Sequence, residues 1–272
     1  MTQARPKIGL ALGSGGARGW AHIGVLRALR ELGIWPDIVT GSSIGAMVGA
    51  FVAADAFDTL ERELATMTRT RMARFFIEAH LPRRGLFSGQ AVTRWLEQPD
   101  LLGVLDFSQL AKPFAVMATD LRTGQPVALR EGNVAHAIRA SISIPGLFDP
   151  VLHEGVVLID GGFSDPVPVV AARALGADFV IGVDINGDPE DAPFVQHPSL
   201  IATLLQTSRF MERTIGRLTL AQAPADYLLR PKTGAIQTLN FAGGRNLIAV
   251  GEATVHEAKT SLQKALDHVL HS

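Results

Sequence analysis

Cysteine is absent from the 272-residue chain, which excludes disulfides, thiolate nucleophiles and thiolate metal sites. A charge of one sign is missing too. Twenty-five Lys and Arg stand against 26 Asp and Glu, a formal charge of -1, so no overall field draws the chain to nucleic acid and a charged partner must be met by a local patch. Apolar runs are short: the longest, Ile44 to Ala54, has 11 residues, against the roughly 20 that cross a bilayer as a helix. Membrane contact is therefore expected only at the surface. Met1 to Lys7 leads into no long apolar stretch, and Gly9 interrupts the first apolar run, Ile8 to Leu12, so no secretory signal is expected. Together with the missing cysteines, this makes the cytoplasm the expected location, with peripheral contact at the membrane.

Hydrophobic residues make up 47% of the chain and charged residues 19%, enough to bury one substantial core, and a single domain over residues 1–272 is expected. Lys7 to Leu12 reads as a strand, Gly13 to Gly19 as a loop and Trp20 to Leu32 as a helix. Asp37 to Thr40, the turn Gly41 to Gly45 and a helix to Ala54 repeat the order, which favours an α/β fold with a mainly parallel central sheet flanked by helices. Residues 57–110 read as a helical insertion. Strands at Phe114 to Thr119 and Val127 to Leu129 form a hairpin through Thr123-Gly124, and Val156 to Ile159 is a further strand. A helix over Val167 to Leu175 precedes the strand Phe179 to Ile185. After a polar loop, the part from about 199 to 270 is helical, apart from a short strand at Tyr227 to Leu229.

In Gly41-Ser42-Ser43-Ile44-Gly45, Ser43 has glycine two positions away on each side, after a strand and before a helix. That is the setting of a nucleophile elbow, where a sharp turn admits only small neighbours. The plainer alternative is that Ser43 caps the helix. Gly13-Ser14-Gly15-Gly16-Ala17-Arg18-Gly19 fails as a dinucleotide loop, because Arg18 replaces the third glycine and no acidic residue ends the second strand. The same loop suits an oxyanion, since glycines leave backbone N–H groups reachable at a helix start and Arg18 adds positive charge; a plain tight turn is the alternative. The serine also needs a base. His256 fits the order of a conventional triad but lies on a helix in a solvated setting, His22 reads as structural, and Asp120, Asp160 and Asp184 all sit at strand ends. Spacing leaves that choice open.

Leu12 to Leu26 (LGSGGARGWAHIGVL), Gly41 to Gly45 (GSSIG), Arg139 to Phe148 (RASISIPGLF) and Asp160 to Gly162 (DGG) together resemble the patatin-like phospholipases, in particular their small bacterial members, over about residues 7–185. The resemblance implies a patatin-like modified α/β hydrolase fold and cleavage of lipid acyl esters, phospholipid or lysophospholipid. It implies Ser43 as nucleophile, Asp160 as base, and an oxyanion and substrate loop of Gly15, Gly16, Ala17, Arg18 and Gly19. Ser14 stands where many members have glycine. No cofactor or metal is implied. A weakly active lipid-binding module and an acyltransferase are the alternatives. Within Arg69 to Phe87, Met72, Phe75, Phe76 and Ala79 fall on one stripe at i, i+3, i+4, i+7 with arginines off it, which predicts an amphipathic helix and a lipid-entry lobe, or an ordinary helix facing the core.

Overall fold

Large and small residues alternate in Ile8–Leu12 (β1), and that alternation sets the two faces of the sheet. In the computed structural model, which describes residues 5–73, 75, 85–187 and 196–270, Leu10 and Leu12 enter the larger core and Ala11 the smaller one on the opposite face, as the period of two requires. After β1 come α1 (Trp20–Glu31), β2 (Ile38–Ser42), α2 (Ile44–Ala53), α3 (Phe57–Thr66), α4 (Arg69–Ala73) and α5 (Gln90–Leu96). The chain continues through β3 (Phe114–Asp120), β4 (Pro126–Leu129), α6 (Val134–Ser141), β5 (Val151–His153), β6 (Val156–Asp160), α7 (Val169–Ala174) and β7 (Phe179–Val183). It closes with α8 (Leu200–Gln222), β8 (Tyr227–Leu229), α9 (Phe241–Gly244) and α10 (Leu247–Leu270).

The strands form one mixed sheet in the order β5-β6-β3-β2-β1-β7-β8, with β4 also paired to β3. Its centre, β3-β2-β1-β7-β8, is parallel, while β4, β5 and β6 pair antiparallel. The parallel centre was legible as strand–helix alternation; β5 and α9 carry no comparable local pattern, whereas α6, not expected from the sequence, has one in its N-cap Asn133 and the stripe Val134, Ala137 and Ile138. From β1 the chain winds one way to β2 and β3 and later the other way to β7 and β8. The ends of β1 and β7 thus flank a topological switch point, where open α/β sheets place their ligands.

The register on β3 is decisive. Val116 and Met117 pair with both β2 and β4, and Ala118 and Thr119 pair with both β4 and β6. A strand has two edges, so β4 holds one, and β2 and β6 share the other end to end. Ser42 lies opposite Met117 and Asp160 opposite Ala118. The carboxyl ends of β2 and β6 therefore meet head-on.

The helices α3 to α5 of the expected insertion cover the cavity beside this junction, as described below. On the larger core α10 packs against α1, with the backbones so close that a Cβ on Gly24 would stand 1.9 Å from Ile248 O and one on Gly251 2.1 Å from Ala21 O. Gly24→Ala should therefore push the helices apart and lower the unfolding free energy by ~2 kcal/mol or more, measured by urea denaturation. An unchanged midpoint would contradict the close crossing.

Candidate active site

β2 runs without a break into Ser43, which adopts φ 55 and ψ -121, a conformation that costs a non-glycine residue about 1–3 kcal/mol. The flanking glycines make this turn sterically feasible. A Cβ on Gly41 would lie 2.5 Å from the Gly45 carbonyl, and one on Gly45 2.2 Å from Leu12 O. Ser43 occupies the N-cap position of α2, yet its side chain makes no capping bond. Instead Ser43 Oγ donates to Asp160 Oδ2 at 2.5 Å, so the capping alternative does not describe its hydroxyl. Ser42 Oγ donates to Asp165 O, on a different path.

Asp160 is buried and its second oxygen, Oδ1, accepts from Gly162 N at 2.8 Å. Burial, and then the charge of Glu212, hold the Asp160 carboxyl well above its ordinary range, while the bonds from Ser43 and Gly162 pull the other way. The segment Arg139 to Phe148 frames both residues. Ser43 N donates to Ser141 Oγ at 2.7 Å, Ser141 Oγ donates to Met117 O, and Asp160 N donates to Ser143 O at 3.0 Å. Arg139 donates to Ser143 Oγ, Ser88 O and Asp149 O, tying this frame to the chain before α5.

Of the loop residues, Gly16, Ala17 and Gly19 line a cavity with Ser43. Ala17 N donates to Thr238 O. Arg18 does not reach this cavity with its side chain. Its guanidinium is buried on the other side of the loop, donating to Asn186 Oδ1 and Ile236 O, and burial followed by repulsion from Arg209 lowers it to about 10, still protonated at neutral pH. Its charge therefore supports the loop from behind. The cavity, about 120 Å³, has no charged side chain among the described residues of its lining and is walled by Trp20, Met47, Leu60, Phe75, Trp95 and Phe148 among others. Met72 and Phe75 of the expected stripe face inward onto it, with Phe75 edge-on to Trp95 at 5.4 Å; Phe76 and Ala79 lie outside the described residues.

The other candidate bases stand elsewhere. His256 is on α10, 3.7 Å from Glu31, and His22 is fully buried with Nε2 2.8 Å from Gly13 O, lowered by burial to about 4. Asp120 bonds Thr123 Oγ1 and Arg122 N in the hairpin turn, and Asp184 bonds Asn186 N. Glu212, Arg209 and Asn186 were not singled out from the sequence, yet all are buried close to this site. For the first two the sequence offered only their helical spacing with Gly216 and Leu220, and the structure shows that this face of α8 is buried.

The profile of the patatin-like phospholipase family matches residues 10–173, and the chain belongs to that family. An uncharacterized NTE family protein of Mycobacterium tuberculosis is 36% identical over 200 residues, which are 74% of this chain and 55% of that protein. The lysophospholipase nte1 of Aspergillus fumigatus is 35% identical over 196 residues, 71% of this chain and 13% of that protein. The chain thus spans about half the length of the mycobacterial relative and a small part of the fungal one. In three dimensions it is similar to VipD of Legionella pneumophila, with a TM-score of 0.53 at 14% identity, covering 97% of this chain and 67% of that one.

Arg139→Lys should keep the charge but lose the fork that reaches Ser143, Ser88 and Asp149 together. We expect ~2 kcal/mol less stability in urea unfolding; native stability would show that the fork is dispensable.

Proposed function

We propose that the chain is a serine hydrolase that cleaves lipid acyl esters through a Ser43–Asp160 dyad and an acyl-enzyme. The observation that carries this reading is the hydrogen bond from Ser43 Oγ to the buried Asp160 carboxylate at the wall of an apolar cavity. Asp160 takes the hydroxyl proton as Ser43 Oγ bonds to the acyl carbon, the collapsing intermediate expels the alcohol with a proton returned from Asp160, and water then releases the fatty acid by the same route. With Ala17 N–H bonded to Thr238 O, Gly15 and Gly16 are the loop's candidate oxyanion donors. Ile44 N–H joins them, at the first position of α2 where no intrahelical acceptor exists.

The cavity favours an acyl chain over a polar substrate, because among the described residues Ser43 supplies the only hydroxyl in its lining. Its volume is comparable with the ~150 Å³ apolar cavity that takes up benzene, which suits part of one chain and leaves the head group outside. The lipid surface would be met nearby. Leu200, Ile201 and Leu204 on α8 are exposed, and Leu204 stands beside Gly146, next to the cavity wall at Ile144 and Phe148.

Ser43→Ala should lower kcat for a long-chain ester by about three orders of magnitude or more, and Asp160→Asn nearly as much, whereas Ser42→Ala and His256→Ala should retain most activity. A folded Ser43→Ala protein with near-native turnover would rule out the dyad. Leu200→Ser with Leu204→Ser should weaken binding to anionic vesicles by about tenfold and leave hydrolysis of a short soluble ester intact; unchanged vesicle binding would place the lipid surface elsewhere.

A further inference from the structure

Burying a carboxylate costs several kcal/mol unless hydrogen bonds and charges compensate it, so Glu212, inside α8, calls for a reason. Its Oε2 accepts from Ser14 Oγ at 2.7 Å, and Ser14 is wholly buried at the start of the loop that brings Gly16 and Ala17 to the cavity. Both side chains also crowd Gly162. A Cβ on Gly162 would stand 2.8 Å from Ser14 Oγ and 2.9 Å from the Glu212 carboxyl carbon, and Gly162 is the residue whose N–H holds Asp160 Oδ1. Glu212, Ser14, Gly162 and Asp160 therefore form one contiguous set.

The charged groups around the set come from three elements. Arg18 from the loop and Arg209 from α8 stabilise the Glu212 anion, with Asp184 after β7 and Arg213 acting on Arg18. His22 on α1 faces Gly13 O and is neutral above about pH 4. Resting on the dyad reading above, we propose that Glu212 is a positioning residue for the reaction: through Ser14 it fixes the oxyanion loop, and its negative charge faces Asp160 across Gly162. Burial pushes both carboxyls up, but Ser14, Arg18 and Arg209 favour ionised Glu212 while Glu212 opposes ionisation of Asp160. Glu212, the carboxyl with Ser14, Arg18 and Arg209 around it, is accordingly assigned the charge in this proposal, which raises the basicity of Asp160.

Glu212→Gln keeps the shape and the acceptor for Ser14 but removes the charge. Removing a like charge lowers the Asp160 pKa, so the acid limb of kcat/KM for a short soluble ester should move to lower pH by about one unit. The plateau should fall by about tenfold because the base is weaker. Ser14→Ala and Glu212→Asp keep the charge and lose the loop contact; both should lower kcat with the acid limb in its native place. Asp165 is another buried acid, pushed up to about 6 by burial, and Asp165→Asn should leave the midpoint unmoved. If Asp165→Asn moves the midpoint instead, or if folded Glu212→Gln leaves it unmoved, the charge role is overturned. Native kcat in both Ser14→Ala and Glu212→Asp overturns the positioning role, and this arm stands even if Glu212→Gln does not fold. Asp160→Asn separates the two levels: if it retains native turnover and a native limb, the dyad itself fails, whereas loss of turnover there beside an unmoved Glu212→Gln limb removes only the inference about Glu212.

Discussion

The end-to-end meeting of β2 and β6 along one edge of β3 is the constraint on which the site depends. Either strand alone would leave its terminal residue pointing past the sheet. Because Ser42 and Asp160 pair with consecutive residues of β3, the chain leaving β2 at Ser43 arrives beside the Asp160 carboxylate. β3 is buried along its whole length, and Thr119 Oγ1 holds Asp160 O at 2.8 Å, so the junction has little room to slide. The strained φ of Ser43 persists because Ser141, the α2 turn and Asp160 hold it together; net hydrogen-bond contributions of about 1 kcal/mol each match the strain in scale.

The two sides of this junction have opposite chemistry. Toward α3, α4 and α5 lies an apolar cavity with one hydroxyl among the described residues of its lining. Toward α8 lies a buried polar cluster of Ser14, Arg18, Arg209 and Glu212. The glycine loop runs between them, giving Gly16 and Ala17 to the cavity and the side chains of Ser14 and Arg18 to the cluster. Its backbone is thereby held from the polar side while facing the apolar one. That division anchors the glycine sequence from one side, which suits the oxyanion role proposed for its N–H groups, since such stabilisation needs donors in fixed positions.

What the sequence disclosed follows from how local each signal is. The elbow was legible because Gly41, Ser43 and Gly45 lie within five residues and their steric need is local, and the β1 faces were legible from simple alternation. Asp160 could not be separated from Asp120 and Asp184 by spacing, since its place depends on an antiparallel register set by β3, 40 residues away in the chain; the family resemblance, not the pattern, singled it out. The side-chain direction of Arg18 was equally hidden, because it depends on Asn186 and Ile236. Glu212 went unnoticed for a different reason. The periodicity of α8 was clear, but a carboxylate beside Arg209 reads as solvated until both are seen on the buried face.

The central claim is that Ser43 is the reacting atom's owner, and covalent capture addresses it without presupposing a substrate. A fluorophosphonate with an alkyl tail should phosphonylate the native protein once per chain, with the adduct found by peptide mass spectrometry on Ser43 and lost in Asp160→Asn. An adduct on Ser42, Ser141 or any other serine, or equal labelling after Asp160→Asn, would contradict the account.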